Sequence, residues 1–165
     1  MSMFTESSGI SLLQVMSSFG VREKKSNWKI EEGTLPYVLD ASAIIALLRA
    51  EPGGDVVSSA MRGKNVCFAH AMNLCEVYYD FHRSAGKVVA DDVIASLRAS
   101  DIWFRSDMDE KFWMEAGVLK SGARRISLAD CCALVLARRV EGTLLTADHH
   151  EMDPLTTDHR IRFIR

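Results

Sequence analysis

No apolar run in this 165-residue chain approaches the ~20 residues that cross a bilayer, so no membrane-spanning helix is expected. The first residues also lack the basic, apolar and small-residue succession of a secretory signal, and a cytoplasmic protein is the expectation. Among the four cysteines no Cys-x-x-Cys pair occurs, and no Cys/His spacing suits a zinc site. Cys67, Cys75 and Cys132 fall in apolar strand or helix patterns and are expected to be small buried hydrophobes. His149 and His150 are adjacent, and adjacent helical residues do not face one ligand. Positive charge is not in excess. With a formal net charge of −2, nucleic-acid binding by bulk electrostatics is excluded, and any such binding must rest on a local site. No glycine-rich phosphate loop follows the first apolar run, which argues against a dinucleotide oxidoreductase.

What is present is the balance of a soluble globular chain, 48% apolar and 25% charged, long enough to bury roughly 70% of its unfolded surface as one domain. Residues 1–34 stand apart as an N-terminal extension. Leu12, Val15, Met16 and Phe19 share one face of a short amphipathic helix that Gly20 would stop, and a polar stretch follows with Trp28 and Ile30 as its large apolar residues. Two readings stay open there: a loosely ordered tail, or a helix that docks on a partner or on a second copy.

From Leu35 short apolar runs alternate with longer helical patterns. Strands are expected over 37–39, 65–69, 102–104 and 143–146, with a fifth over 161–164 at the edge. Helices are expected from Ser42, near 55–61, and over 71–84, 88–100, 107–120 (stripe Phe112, Trp113, Ala116, Leu119) and 127–141. That alternation implies βαβ units. Residues 35–165 are therefore expected to form a three-layer α/β/α domain with a mostly parallel central sheet of four or five strands.

Four acids take similar places on this plan. Asp40 ends the first strand, Glu76 lies one and a half turns into the third helix, Asp130 sits in the first turn of its helix, and Asp148 follows the fourth strand. Each has a plain explanation available. Asp40 and Asp148 suit N-caps, and Ser127-x-x-Asp130 is close to a capping box. Glu76, among Leu74, Cys75, Val77 and Tyr78, is hardest to explain that way, because buried Glu is rare unless paired. In a parallel sheet the strand ends and following helix starts share one edge, so the four would meet there. Like charges at close range oppose folding, and carboxylate oxygens suit a hard divalent cation, Mg²⁺ or Mn²⁺.

The segments Tyr-Val-Leu-Asp-Ala-Ser-Ala at 37–43, His-Ala-Met-Asn-Leu-Cys-Glu-Val-Tyr at 70–78, Ile-Ser-Leu-Ala-Asp-Cys at 126–131 and Leu-Leu-Thr-Ala-Asp at 144–148 occur in this order. Together they resemble the motifs of the PIN-domain family, most closely its VapC-type toxin ribonucleases, from Leu35 to the C-terminus. The resemblance implies an Mg²⁺- or Mn²⁺-dependent endoribonuclease with an acidic quartet at Asp40, Glu76, Asp130 and Asp148, in which Asp40 and Asp130 are the foremost metal ligands. It implies supporting roles for Thr146, Asn73 and Ser42, with Asp80 and Asp153 as lesser candidates. It also implies an RNA substrate, a VapB-type antitoxin partner and a homodimer. Arg83, Arg124, Arg125, Arg138 and Arg139 are candidate contacts to the RNA backbone. The extension over 1–34 departs from the family pattern.

Other readings compete. A catalytically inactive PIN-like RNA- or protein-binding module keeps the fold without the chemistry. An aspartyl-phosphate phosphotransferase would need a second acid two residues after Asp40, where Ser42 stands.

Overall fold

Strand β1 (Pro36–Leu39) carries Val38 and Leu39 side by side, and both are fully buried because a strand turns alternate side chains to opposite faces. Leu39 joins Cys67, Ala69 and Leu145 in one core, whereas Val38 joins Phe68 and Leu144 in another. An unbroken apolar run thus marks a strand with helices above and below it. The computed structural model describes residues 33–165 except Gly63 and Arg124. The helix expected over 12–19 and the polar stretch after it lie outside the described residues.

The chain continues through α1 (Ala41–Leu48), α2 (Gly54–Ala60), β2 (Val66–His70), α3 (Ala71–Ala85), α4 (Lys87–Ala99), β3 (Ile102–Arg105), α5 (Glu110–Gly122), α6 (Leu128–Arg139), β4 (Thr143–Thr146), α7 (His149–Met152) and β5 (Ile161–Phe163). All five strands are parallel, in the order β3-β2-β1-β4-β5. Helices α1 to α4 pack on one face of the sheet, and α5 and α6 on the other. The expected three-layer α/β/α architecture is what forms, with a sheet that is wholly parallel. No described helix is long and apolar enough to cross a membrane.

Strand order decides where the chemistry can sit. The chain builds outward from β1 to β3, then returns to the other side of β1 to lay down β4. The crevice at the carboxyl ends of β1 and β4 is therefore the switch point at which open α/β sheets bind ligands.

Three expectations shift on inspection. Helix α5 starts at Glu110, three residues later than expected, because Asp107 is drawn into ion pairs with Arg105 and Arg139 while Asp109 takes the cap, accepting the Phe112 N–H at 3.2 Å. Trp113 is 51% exposed although Phe112 beside it is buried. Neighbours on a helix point about 100° apart, and only one can face the sheet. Cys75 is exposed rather than buried, since Leu74 and Val77 occupy the inward face of α3. The thiols of Cys67 and Cys131 are buried, and burial pushes them up to about 12 and about 11. A disulfide reagent is accordingly expected to modify one thiol per folded chain, at Cys75, and the other three only on unfolding. Rapid modification of Cys131 in the folded protein would contradict this packing.

Gly53 holds φ near +90° where the chain breaks between α1 and α2, and a Cβ there would lie 2.5 Å from the Ile164 carbonyl oxygen. The residue just past β5 thus closes over a position that only glycine fills without strain. Gly53→Ala is expected to cost roughly 1–2 kcal/mol, measured by urea unfolding.

Candidate active site

Asp40 is the hinge of the switch-point crevice. Its backbone N–H extends the β1–β4 ladder by donating to the Leu145 carbonyl at 3.3 Å, and its Oδ1 then caps α1 by accepting the Ala43 N–H at 2.8 Å. The Ser42 hydroxyl donates to the same oxygen at 2.8 Å and accepts the Ala147 N–H at 2.8 Å. Thr146 adds a hydrogen bond to the Asp40 carboxylate, and its Oγ1 accepts the Asp148 N–H at 3.0 Å. Ser42 and Thr146 therefore cross-tie the ends of β1 and β4 and fix two acids at once. Asp148 caps α7 in turn, its Oδ1 accepting the Glu151 N–H at 3.0 Å.

Asp130 arrives from the opposite layer. Ser127 caps α6 by accepting the Asp130 N–H at 3.0 Å, and its hydroxyl donates to Asp130 Oδ2 at 2.6 Å. The capping readings of Asp40 and Asp148 hold, whereas the capping box expected at Ser127 and Asp130 forms only in its Ser127 half, because the Ser127 N–H goes to Glu151. None of these bonds competes with a functional role. Local hydrogen bonds engage part of each carboxylate and aim the rest of it. Glu76, half-buried on α3, reaches the same region because α3 packs against both α1 and α6.

The electrostatics show that these groups share one site. Burial holds the Asp40 carboxyl above the usual range, the hydrogen bonds from Thr146, Ala43 and Ser42 pull it down, and the Asp148 charge raises it again. Burial is also the main cause of the raised Glu76, with the charges of Asp40 and Glu151 adding to it. Asp130 is pushed up to about 7, first by burial and then, against its bond from Ser127, by Asp40, Glu76 and a hydrogen bond with Glu151. Asp40, Glu76 and Asp130 thus lie within electrostatic reach of one another at one sheet edge, and Asp148 adjoins Asp40 there.

Glu151 is a fifth acid that sequence reasoning passed over. Its Oε2 accepts the Ser127 N–H at 3.1 Å, so it braces the loop that presents Asp130. The signal available was its place three residues after Asp148 at the start of a helix, the spacing of an N-cap acid and its N3 partner. Asp153, considered from the same stretch, instead meets His149 Nδ1 at 3.1 Å. Asp80 is taken by Arg49 at 2.5 Å and by Arg83 at 3.7 Å, and ties α1 to α3. Asn73, one turn before Glu76, is fully buried with neither side-chain amide atom partnered. Buried without a partner, it costs about 1–3 kcal/mol.

Among the described residues no three His, Cys, Asp or Glu side chains converge, as they stand, into a group that could hold a metal ion. The donor chemistry nevertheless fits one. Every acid in the cluster offers hard oxygen, and Asp40, Glu76 and Asp130 are raised first by burial and further by neighbouring acids, a penalty that a bound cation would offset.

No curated protein matches the chain. Among solved structures, the VapBC2 complex of Rickettsia felis bound to a promoter DNA fragment aligns with a TM-score of 0.61 at 14% identity, over 78% of this chain and 98% of that one. VapBC-1 of nontypeable Haemophilus influenzae aligns at 0.59 and 16%, over 79% and 98%. VapC20 of Mycobacterium tuberculosis, described as a sarcin-ricin loop cleaving toxin, aligns at 0.58 and 14%, over 72% and 94%. At such identities the likeness is one of fold. The PIN domain family model matches residues 37–153, a span that takes in the switch-point crevice and all five of its acids, and the chain belongs to the PIN domain family.

Proposed function

We propose that this chain is a divalent-metal-dependent endoribonuclease, the toxin of a VapBC-type toxin–antitoxin pair. The observation that carries the reading is the gathering of Asp40, Glu76, Asp130 and Asp148 at the β1/β4 switch point, with Asp40, Glu76 and Asp130 raised first by burial and further by the charge of neighbouring acids. Asp40, Asp130 and Asp148 would hold Mg²⁺ or Mn²⁺, with Glu76 completing the set. Bound there, the cation would supply Lewis acidity toward a phosphodiester and lower the pKa of a water. The chain's own residues do the rest. Ser42 and Thr146 keep the Asp40 and Asp148 carboxylates in fixed orientations, and Ser127 and Glu151 do the same for Asp130. Glu76, reaching the cluster from α3, orients the attacking water and accepts its proton. Asn73 offers its unpartnered amide to a water beside Glu76.

The fold relatives crystallised as VapBC complexes support a VapB-type antitoxin as the protein partner, and a homodimer is the assembly expected with it. A basic segment of such a partner would neutralise the same cluster. The testing experiment is cleavage of end-labelled RNA by the purified protein in Mn²⁺ and in EDTA. Cleavage in Mn²⁺ that stops on chelation is expected, and chelator-resistant cleavage counts against the reading. An inactive PIN-like binding module is the second reading, favoured by the lack of a preformed three-ligand group among the described residues. It predicts RNA left intact and no Mn²⁺ affinity.

A further inference from the structure

Of the arginines that suit phosphate contacts by sequence, three are engaged by carboxylates: Arg83 by Asp80, Arg138 by Glu115, and Arg139 by Asp107 and Asp109. Arg124 lies outside the described residues. Arg125 differs. It is exposed, forms no ion pair with a described residue, and donates from Nη1 to His150 Nε2 at 3.3 Å. A guanidinium has five N–H donors, so this contact commits only part of its capacity.

Arg125 and His150 line a cavity of about 580 Å³ between the end of α5, the start of α6 and α7, whose walls include Val118, Leu119, Pro154 and Leu155. Glu151 lines it too, and Glu151 is hydrogen-bonded with Asp130. The cavity therefore opens directly beside the carboxylate cluster and shares a residue with it. A mostly apolar shelf bordered by a guanidinium and an imidazole is the combination that single-stranded RNA recognition uses, with the base on the shelf and the phosphate on the cation. It also places a positive group where an otherwise acidic edge would repel the backbone.

We propose that this cavity is a nucleotide subsite, taking the base of an RNA residue that flanks the scissile phosphate and engaging that residue's own phosphate through Arg125. The subsite rests on the ribonuclease reading above. A fluorescein-labelled, mixed-sequence 2′-O-methyl RNA, which resists cleavage, is the probe for binding in Mn²⁺, with cleavable RNA of the same sequences for kinetics. Arg125→Ala and Leu155→Ala are each expected to weaken binding roughly 5- to 100-fold and to raise KM with little change in kcat. Arg125→Ala is also expected to flatten the dependence of log affinity on log salt by ~0.7. Arg160→Ala, exposed just before β5 at the amino edge of the sheet and bonded to the Glu141 carbonyl, is the control and should bind as wild type.

Unchanged KM in both subsite variants of a protein that does cleave RNA would overturn the subsite alone. So would an equal loss in Arg160→Ala, which would mean diffuse charge, or loss of self-association of the subsite variants in sedimentation, which would assign the cavity to a second copy. Wild-type protein that leaves RNA intact in Mn²⁺ would instead overturn the ribonuclease reading.

Discussion

Asp40→Asn and Asp130→Asn are each expected to lower RNA cleavage in Mn²⁺ by at least ~100-fold while leaving the fold in place. The two halves of that expectation come from different atoms. At Asp40, the Oδ1 that caps α1 and accepts the Ser42 hydroxyl has a counterpart in the Asn carbonyl oxygen, so the helix start and the β1–β4 tie survive. At Asp130, the Ser127 hydroxyl keeps an acceptor in the same way. What disappears is a negative charge and one hard donor. Asp40→Ala would confuse the issue, because losing the cap costs about 1 kcal/mol in stability as well. Circular dichroism and thermal unfolding of the Asn variants should overlay or exceed wild type. Full activity in either would remove that residue from the chemistry.

The second large effect concerns pH in the absence of metal. The Asp130 carboxyl stands at about 7, well above its usual 3.8, mainly through burial, so the folded protein binds a proton there that the unfolded chain releases. Stability contributed by that proton is complete below about pH 4 and is lost as pH rises through about 7. Asp40 and Glu76, raised for the same main reason, act in the same direction. With Asp130 partly open to solvent, the loss between these limits is roughly 2 kcal/mol, about half of what the full shift would give. Metal-free protein is therefore expected to be less stable at about pH 8 than at about pH 6, and Asp130→Asn should remove much of the difference.

His70 works in the opposite sense. It caps α3 through Nδ1, holds the Asp107 carbonyl through Nε2 and stacks on Phe112, and burial lowers its pKa. Its contribution is lost as pH falls below about 6.5, through the folded value. Comparing wild type with Asp130→Asn at each pH separates the two, because both carry His70. Saturating Mn²⁺, by replacing the proton as counter-charge, should raise the unfolding temperature more at the higher pH.

The layers of this fold were legible because hydrophobic pattern is a strong signal. Val38 and Leu39 adjacent in one short run announce a strand buried on both faces, and four such runs separated by helical stripes announce a parallel sheet. The acids at the ends of those runs were legible for the same reason, since a strand end followed by a cap residue has a fixed place in such a sheet. Side-chain direction was not. Trp113 and Cys75 sit in apolar company in the sequence, yet helical rotation turns both outward. Glu151 needed the three-dimensional contact with Ser127 to distinguish it from Asp153, two residues away and turned toward His149. Strand order, and with it the switch point, was equally beyond a single sequence, because periodicity says nothing about which strands pair.

Calorimetric titration of Mn²⁺ into the metal-free protein, repeated in two buffers of different ionisation enthalpy, tests the carboxylate cluster most directly. The expected result is saturable binding with net proton release near pH 7, and loss of both the binding and the release in Asp40→Asn and Asp130→Asn. Binding without proton release, or binding undiminished in those two variants, would place the cation elsewhere and contradict a shared site at the ends of β1 and β4.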